Sequence, residues 1–97
     1  YYRLVYVYLK NHNESLLDQM AAVMAGKLRA VFGNRVLGPD KPPVARIQTL
    51  FIKKIVVKIE QNAPMGRARE LLLRIQREMI EDERYKSLIV YYDVDPM

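Results

Sequence analysis

Arg35-Val36-Leu37-Gly38-Pro39-Asp40-Lys41-Pro42-Pro43-Val44-Ala45-Arg46-Ile47 is the stretch that decides the fold of this chain. Three prolines and a glycine within positions 38–43 forbid a helix there. Proline also removes backbone donors, so the run is restricted to an edge strand or a kinked extended loop. It separates two long amphipathic stretches and carries Arg35, Lys41 and Arg46. A stiff, extended, positively charged arm is expected, ending in a short strand near Val44 to Thr49.

On the N-terminal side of the arm, residues 2–10 alternate as a strand. Val5, Val7 and Leu9 share one face, and Tyr2, Leu4, Tyr6 and Tyr8 share the other. Apolar residues then recur at three- and four-residue steps over 13–32: Leu16, Leu17, Met20, Val23, Met24, Leu28, Val31 and Phe32. This predicts a helix capped by Asn11 or Asn13, favoured by Glu14 in its first turn and stopped by Gly33-Asn34.

On the C-terminal side, LFIKKIVVKIE over 50–60 reads as a strand. Phe51, Ile55, Val57 and Ile59 point one way, with Lys53 interrupting them, its ammonium expected to snorkel outward. Lys54, Val56, Lys58 and Glu60 point the other way. After the turn Asn62-Ala63-Pro64, a second helix is expected over 65–83. Its stripe is Met65, Ala68, Leu72, Ile75 and Met79, with Leu71 and Ile80 beside it. Residues 87–94, SLIVYYDV, form the last strand.

The order strand, helix, strand, strand, helix, strand is the α+β, ferredoxin-like split β-α-β layout (βαββαβ). Two helices cover one face of a four-stranded antiparallel sheet. Period-two patterning places Tyr6, Tyr8, Lys54, Lys58, Tyr91 and Asp93 on the opposite, open face.

Ninety-seven residues make a single domain, 1–97, burying roughly 65% of the surface its unfolded chain exposes. With 51% hydrophobic and 28% charged residues the composition is globular, not disordered. No cysteine is present, which excludes a disulfide framework or a thiolate metal site and fits a reducing compartment. No apolar run approaches the ~20 residues that span a bilayer, so no membrane partner is expected. No signal-peptide pattern opens the sequence, and the sequon Asn13-Glu14-Ser15 is read as accidental. A start at Tyr1, already inside a strand, suggests a fragment of a larger protein. The net charge of +5 permits a few phosphate contacts.

No catalytic constellation stands out. His12, the single histidine, reads as an exposed loop residue, and the four glycines are scattered rather than gathered into a phosphate loop. Asp93 and Asp95 either pair for acid–base work or cation binding, or simply solvate a strand end. On the second helix, Arg67, Arg69, Arg74 and Arg77 either track phosphates or pair with glutamates. Glu70–Arg74, Arg74–Glu78 and Arg77–Glu81 all have the i,i+4 spacing, and Arg67 and Arg69 escape pairing most easily. The tyrosines either stack nucleobases or line a contact with a neighbouring domain. The basic-Gly-aromatic signature of RNA-recognition sheets is absent from 50–60. The arm and the lysine strand concentrate Arg35, Lys41, Arg46, Lys53, Lys54 and Lys58 against only Asp40 and Glu60.

Three landmarks carry a family resemblance. Val36-Leu37-Gly38-Pro39 followed by Pro43-Val44-Ala45-Arg46-Ile47, the opening Tyr1-Tyr2-Arg3-Leu4, and the closing Tyr92-Asp93-Val94-Asp95-Pro96 fall in family order along the whole chain. Together they resemble the C-terminal domain of the PriA family (primosomal protein N-prime), the bacterial replication-restart DNA helicases. The resemblance implies a fold like ribosomal protein S-ten. It also implies a noncatalytic C-terminal module of an ATP-dependent 3′-to-5′ helicase that restarts stalled forks by primosome assembly in the cytoplasm. ATP, magnesium and zinc would be bound by upstream domains, with no cofactor in this fragment. Partners would be branched or forked DNA, the single-strand-binding protein and other primosome proteins, and the upstream helicase domains. Gln48-Thr49-Leu50 departs from the family's basic, glycine-containing turn.

The expected contact is sequence-independent DNA binding by Arg35, Lys41, Arg46, Lys53, Lys54 and Lys58. Two other readings stay open at this point. One is a protein-interaction domain docking the helicase core or the single-strand-binding protein. The other is an RNA-binding sheet using the tyrosines.

Overall fold

The computed structural model describes residues 2–42 and 46–94. Strand β1, Tyr2–Asn11, buries Val5, Val7 and Leu9 completely or nearly so, as its period-two pattern requires. The Asn13 side chain accepts the Leu16 N–H at 3.1 Å and starts helix α1, Glu14–Phe32. Gly33, at φ 66°, ends it and donates its own N–H to the Arg29 carbonyl. A 3₁₀ turn, Gly33–Arg35, leads into β2, Val36–Asp40; then follow β3, Arg46–Ile47, and β4, Leu50–Glu60. Helix α2, Met65–Glu81, begins after Pro64, and a second 3₁₀ turn, Glu83–Tyr85, precedes β5, Ile89–Val94.

The sheet order is β2-β4-β1-β5, with β3 also paired to β4, and every pairing is antiparallel. This is the ferredoxin-like split β-α-β arrangement. The expected four-strand count becomes five, because the edge position beside β4 is shared by two short strands. Leu37 and Asp40 bracket a register shift in β2. At Gly38, between them, φ is 97° and an added Cβ would lie 3.0 Å from the Lys54 carbonyl oxygen. Only glycine meets both conditions without strain. The Arg29 guanidinium donates to the Gly38 carbonyl at 2.6 Å, tying this edge to α1. Val44 and Ala45, where the short strand was expected to begin, lie outside the described residues, as does Asp95 of the proposed carboxylate pair.

Both helices pack on the same face. Leu17, Met20, Met24 and Leu28 of α1 and Ala68, Leu72, Ile75 and Met79 of α2 join one core with Val5, Val7, Leu9, Ile55, Val57 and Ile59. Each fully buried side chain of this size contributes about 1.5–3 kcal/mol. Val31, expected in the α1 stripe, is 46% exposed, because the buried arc runs through Ala21 and Ala25 instead. Helix α2 stops two residues earlier than expected, since Asp82 turns extended and its carboxylate accepts the Arg84 N–H. Ser87 is likewise withheld from β5: its carbonyl and hydroxyl oxygens accept from the buried Asn11 amide. Among the described residues no helix is long and apolar enough to cross a membrane.

Candidate nucleic-acid interface

The pairing register turns the period-two pattern into rows across the open face. Lys54 of β4, Tyr8 of β1 and Tyr91 of β5 stand in one row; Val56, Tyr6 and Asp93 stand in the next. Ile52, Lys10 and Ile89 flank the first row, and Lys58 pairs with Leu4 beyond the second. The six residues assigned to this face from sequence therefore come together, and Lys10 joins them. Lys10 has the same even register as Tyr6 and Tyr8, so the strand pattern already contained it.

The tyrosines are arranged rather than merely exposed. Tyr8 and Tyr91 stack with ring centres 4.8 Å apart and an interplanar angle of 15°, and Tyr6 lies 6.4 Å from Tyr8. Lysine ammonium groups lie against the rings: Lys10 is 4.7 Å from the Tyr91 centre, Lys54 5.3 Å from Tyr6, and Lys58 5.8 Å from Tyr2. All fall within the cation–π range of about 6 Å. Burial raises the Tyr8 phenol above its ordinary value, with Tyr91, Asp93 and Tyr6 adding to it, so Tyr8 keeps its proton.

The basic residues expected to act together are divided by the sheet. Lys54 and Lys58 are on the open face. Arg35 reaches its end, where the guanidinium pairs with Glu60 and lies 5.8 Å from the Tyr2 ring centre. Lys41 is exposed just past β2. Lys53 and Arg46 are on the other side. Lys53 meets the Asp18 carboxylate of α1 at 3.1 Å instead of reaching solvent, its side chain only 17% exposed. Arg46 pairs with Phe51 in the hairpin, lies 5.1 Å from its ring centre and donates to the Gln48 carbonyl. Strand alternation, already visible in the opposed positions of Lys53 and Lys54, thus divides the six basic residues between the two sides of the sheet.

On α2 the three expected i,i+4 pairs do not form among the described residues. Glu78 turns instead to Lys27 of α1 at 3.5 Å, and Arg67, expected to be free, lies 3.9 Å from Glu70. Exposed arginines of this kind gain little from any one partner, so the tertiary contact decides. His12 is exposed, its Nδ1 3.1 Å from the Thr49 hydroxyl. Among the described residues no three His, Cys, Asp or Glu side chains gather as a metal site.

Pro42 is buried, and so is Ile52, at 4% exposure, although Ile52 faces away from both helices and lies outside the main core. Pro42 and Ile47 thus stand beside Ile52 at one end of the open face. An open hollow of about 560 Å³ remains there, lined by Tyr8, Pro42, Ile47, Ile52, Tyr91 and Asp93 among others. Sequence reasoning missed it because nothing local brings Pro42 and Ile47 to Tyr8 and Tyr91.

No protein-family model and no curated protein sequence matches the chain. Among solved structures it is similar to a de novo designed protein, Foldit4, with a TM-score of 0.69. The likeness covers 100% of this chain and 99% of that one at 11% identity, and it shows the fold alone.

Proposed function

We propose that this chain is a noncatalytic DNA-binding module that holds the single-stranded part of a branched or forked DNA. Its contact surface is the tyrosine–lysine face of the sheet. The observation that supports this reading best is the Tyr8–Tyr91 stack with Lys10 and Lys54 against the same aromatic cluster. Such a surface offers stacking to bases, about 1–3 kcal/mol each, and cations to the phosphates between them. The sequence resemblance to the C-terminal domain of replication-restart helicases supplies the setting. ATP hydrolysis, magnesium and zinc would belong to other parts of a longer cytoplasmic protein, whose primosome partners include the single-strand-binding protein.

This contact differs from the six-residue phosphate grip expected from the sequence, because it also uses the tyrosines that were assigned there to an RNA-binding sheet or a domain contact. Phosphate contact rests on Lys10, Lys54 and Lys58, with Arg35 at the margin, and Lys41, Arg46 and Lys53 fall outside it. With about three phosphates engaged on a single strand, log affinity falls against log salt with a slope near −2.

Fluorescence anisotropy with labelled single-stranded, duplex and forked DNA at several salt concentrations tests this. Single-stranded and forked DNA should bind more tightly than duplex, and Tyr8→Ala or Tyr91→Ala should weaken them about tenfold. Equal affinity for blunt duplex, or full affinity in both tyrosine variants, would sink the reading.

A further inference from the structure

The open face has a polarity that a nonspecific surface does not need. Lys54 and Lys58 stand on β4, the tyrosine platform straddles β1 and β5, and Asp93 stands on β5. Strands lie about 4.8 Å apart, so the lysine column and Asp93 are about 10 Å apart across the sheet. That is close to the reach of a nucleotide from its phosphate to the far edge of its base. A carboxylate repels phosphate, so a strand on this face runs with its backbone along the lysines and its bases pointing toward β5.

Asp93 is exposed and makes no ion pair among the described residues. It lines the same hollow as Tyr8, Pro42, Ile47, Ile52 and Tyr91. The hollow therefore combines an aromatic wall, aliphatic walls and one carboxylate, the composition that suits a flat, apolar-faced ligand with donors on its rim. An ionised carboxylate only accepts hydrogen bonds, through two oxygens side by side. Among the bases, guanine alone carries two adjacent donors on its Watson–Crick edge, N1–H and the N2 amine. Adenine and cytosine offer one amine flanked by an acceptor, and thymine one N–H flanked by carbonyls. A bidentate, charge-assisted pair thus forms with guanine and with no other base.

We infer that the hollow beside the Tyr8–Tyr91 stack is a guanine-selective base pocket, in which the flipped-out base lies on the Tyr8 wall and Asp93 reads its Watson–Crick edge. This rests on the proposed single-strand binding and adds a base preference to it. Lys54 and Lys58, the lysine column of β4, hold the flanking phosphates and carry no sequence information.

The test uses short labelled oligothymidylates carrying one central guanine, adenine, cytosine or thymine, titrated with the whole chain and with Asp93→Asn. The guanine strand should bind about five- to tenfold more tightly than the other three, at the lower end of a bidentate base contact. Asp93→Asn should abolish that preference while leaving the all-thymine strand bound at least as tightly, because a charge repelling phosphate is gone. Since Asp93 is exposed, circular dichroism of the variant should be unchanged. Equal binding of all four strands, or a guanine preference surviving in Asp93→Asn, overturns the pocket and leaves single-strand binding standing. Failure of every strand to bind overturns both.

Discussion

Lys53 and Lys54 are adjacent in the chain and stand on opposite faces of the sheet: Lys53 Nζ lies 3.1 Å from Asp18 Oδ1 of α1, and Lys54 Nζ lies 5.3 Å from the Tyr6 ring centre. The two lysines are equal in charge and differ only in what they face. Lys54→Ala is expected to weaken single-strand binding and to make the salt slope shallower by about 0.7, the share of one phosphate. Lys53→Ala should leave both unchanged and cost up to about 1 kcal/mol of stability through its ion pair. Anisotropy titrations paired with urea unfolding separate the two effects, and a loss of affinity in Lys53→Ala would contradict this division of labour.

Gly38 is held by two requirements at once, a φ of 97° and a Cβ position 3.0 Å from the Lys54 carbonyl oxygen. Gly38→Ala should destabilise the chain by about 1–2 kcal/mol or more, from the disfavoured dihedral and the displaced β4 backbone together. The midpoint of urea unfolding reads this directly; an unchanged midpoint would mean that the β2 bulge relaxes at no cost.

Gln48 takes φ 56° in the two-residue turn Gln48–Thr49 between β3 and β4. Glycine occupies that conformation without the penalty a side chain brings. Gln48→Gly is therefore expected to stabilise the fold by about 0.5–1 kcal/mol, seen as a raised thermal midpoint. A lowered midpoint would show that the Gln48 side chain contributes more than its backbone costs.

Tyr92, on the helix side of β5, donates its hydroxyl to Gln76 Oε1 at 2.7 Å, and burial pushes its phenol up from 10.0 to about 12. A group whose folded value is raised stabilises the fold fully below its unfolded value. That contribution is lost as pH rises from about 10 toward 12, so stability falls across this window. The ultraviolet titration of phenolate should lose a late-ionising step in Tyr92→Phe. A titration in which Tyr92→Phe removes an early step would refute the assignment.

The fold was legible because its signals are local. Alternation in 2–11 and 50–60, the Asn13 cap and the Gly33 stop each act within a few residues, and the register then carries Tyr6, Tyr8, Lys54, Lys58, Tyr91 and Asp93 to one face. What stayed hidden depends on tertiary partners. Lys53 interrupts an apolar face for a reason found only on α1, at Asp18. Glu78 prefers Lys27 of the other helix to an arginine of its own. Ile52 is buried on the open face, where it shares a hollow with Pro42 and Ile47, a grouping no spacing rule describes.

The two margins of the sheet are not equivalent toward other chains. Along β2 and β3 the row of donors is broken: Pro39 has no N–H, the register shifts between Leu37 and Asp40, and β3 is only two residues long. The other margin, β5, runs uninterrupted from Ile89 to Val94 and has no neighbour beyond it among the described residues. Fibrous growth by strand addition needs two competent margins per molecule, whereas pairing needs one. A chain built this way can meet a single companion along β5, and there polymerisation ends.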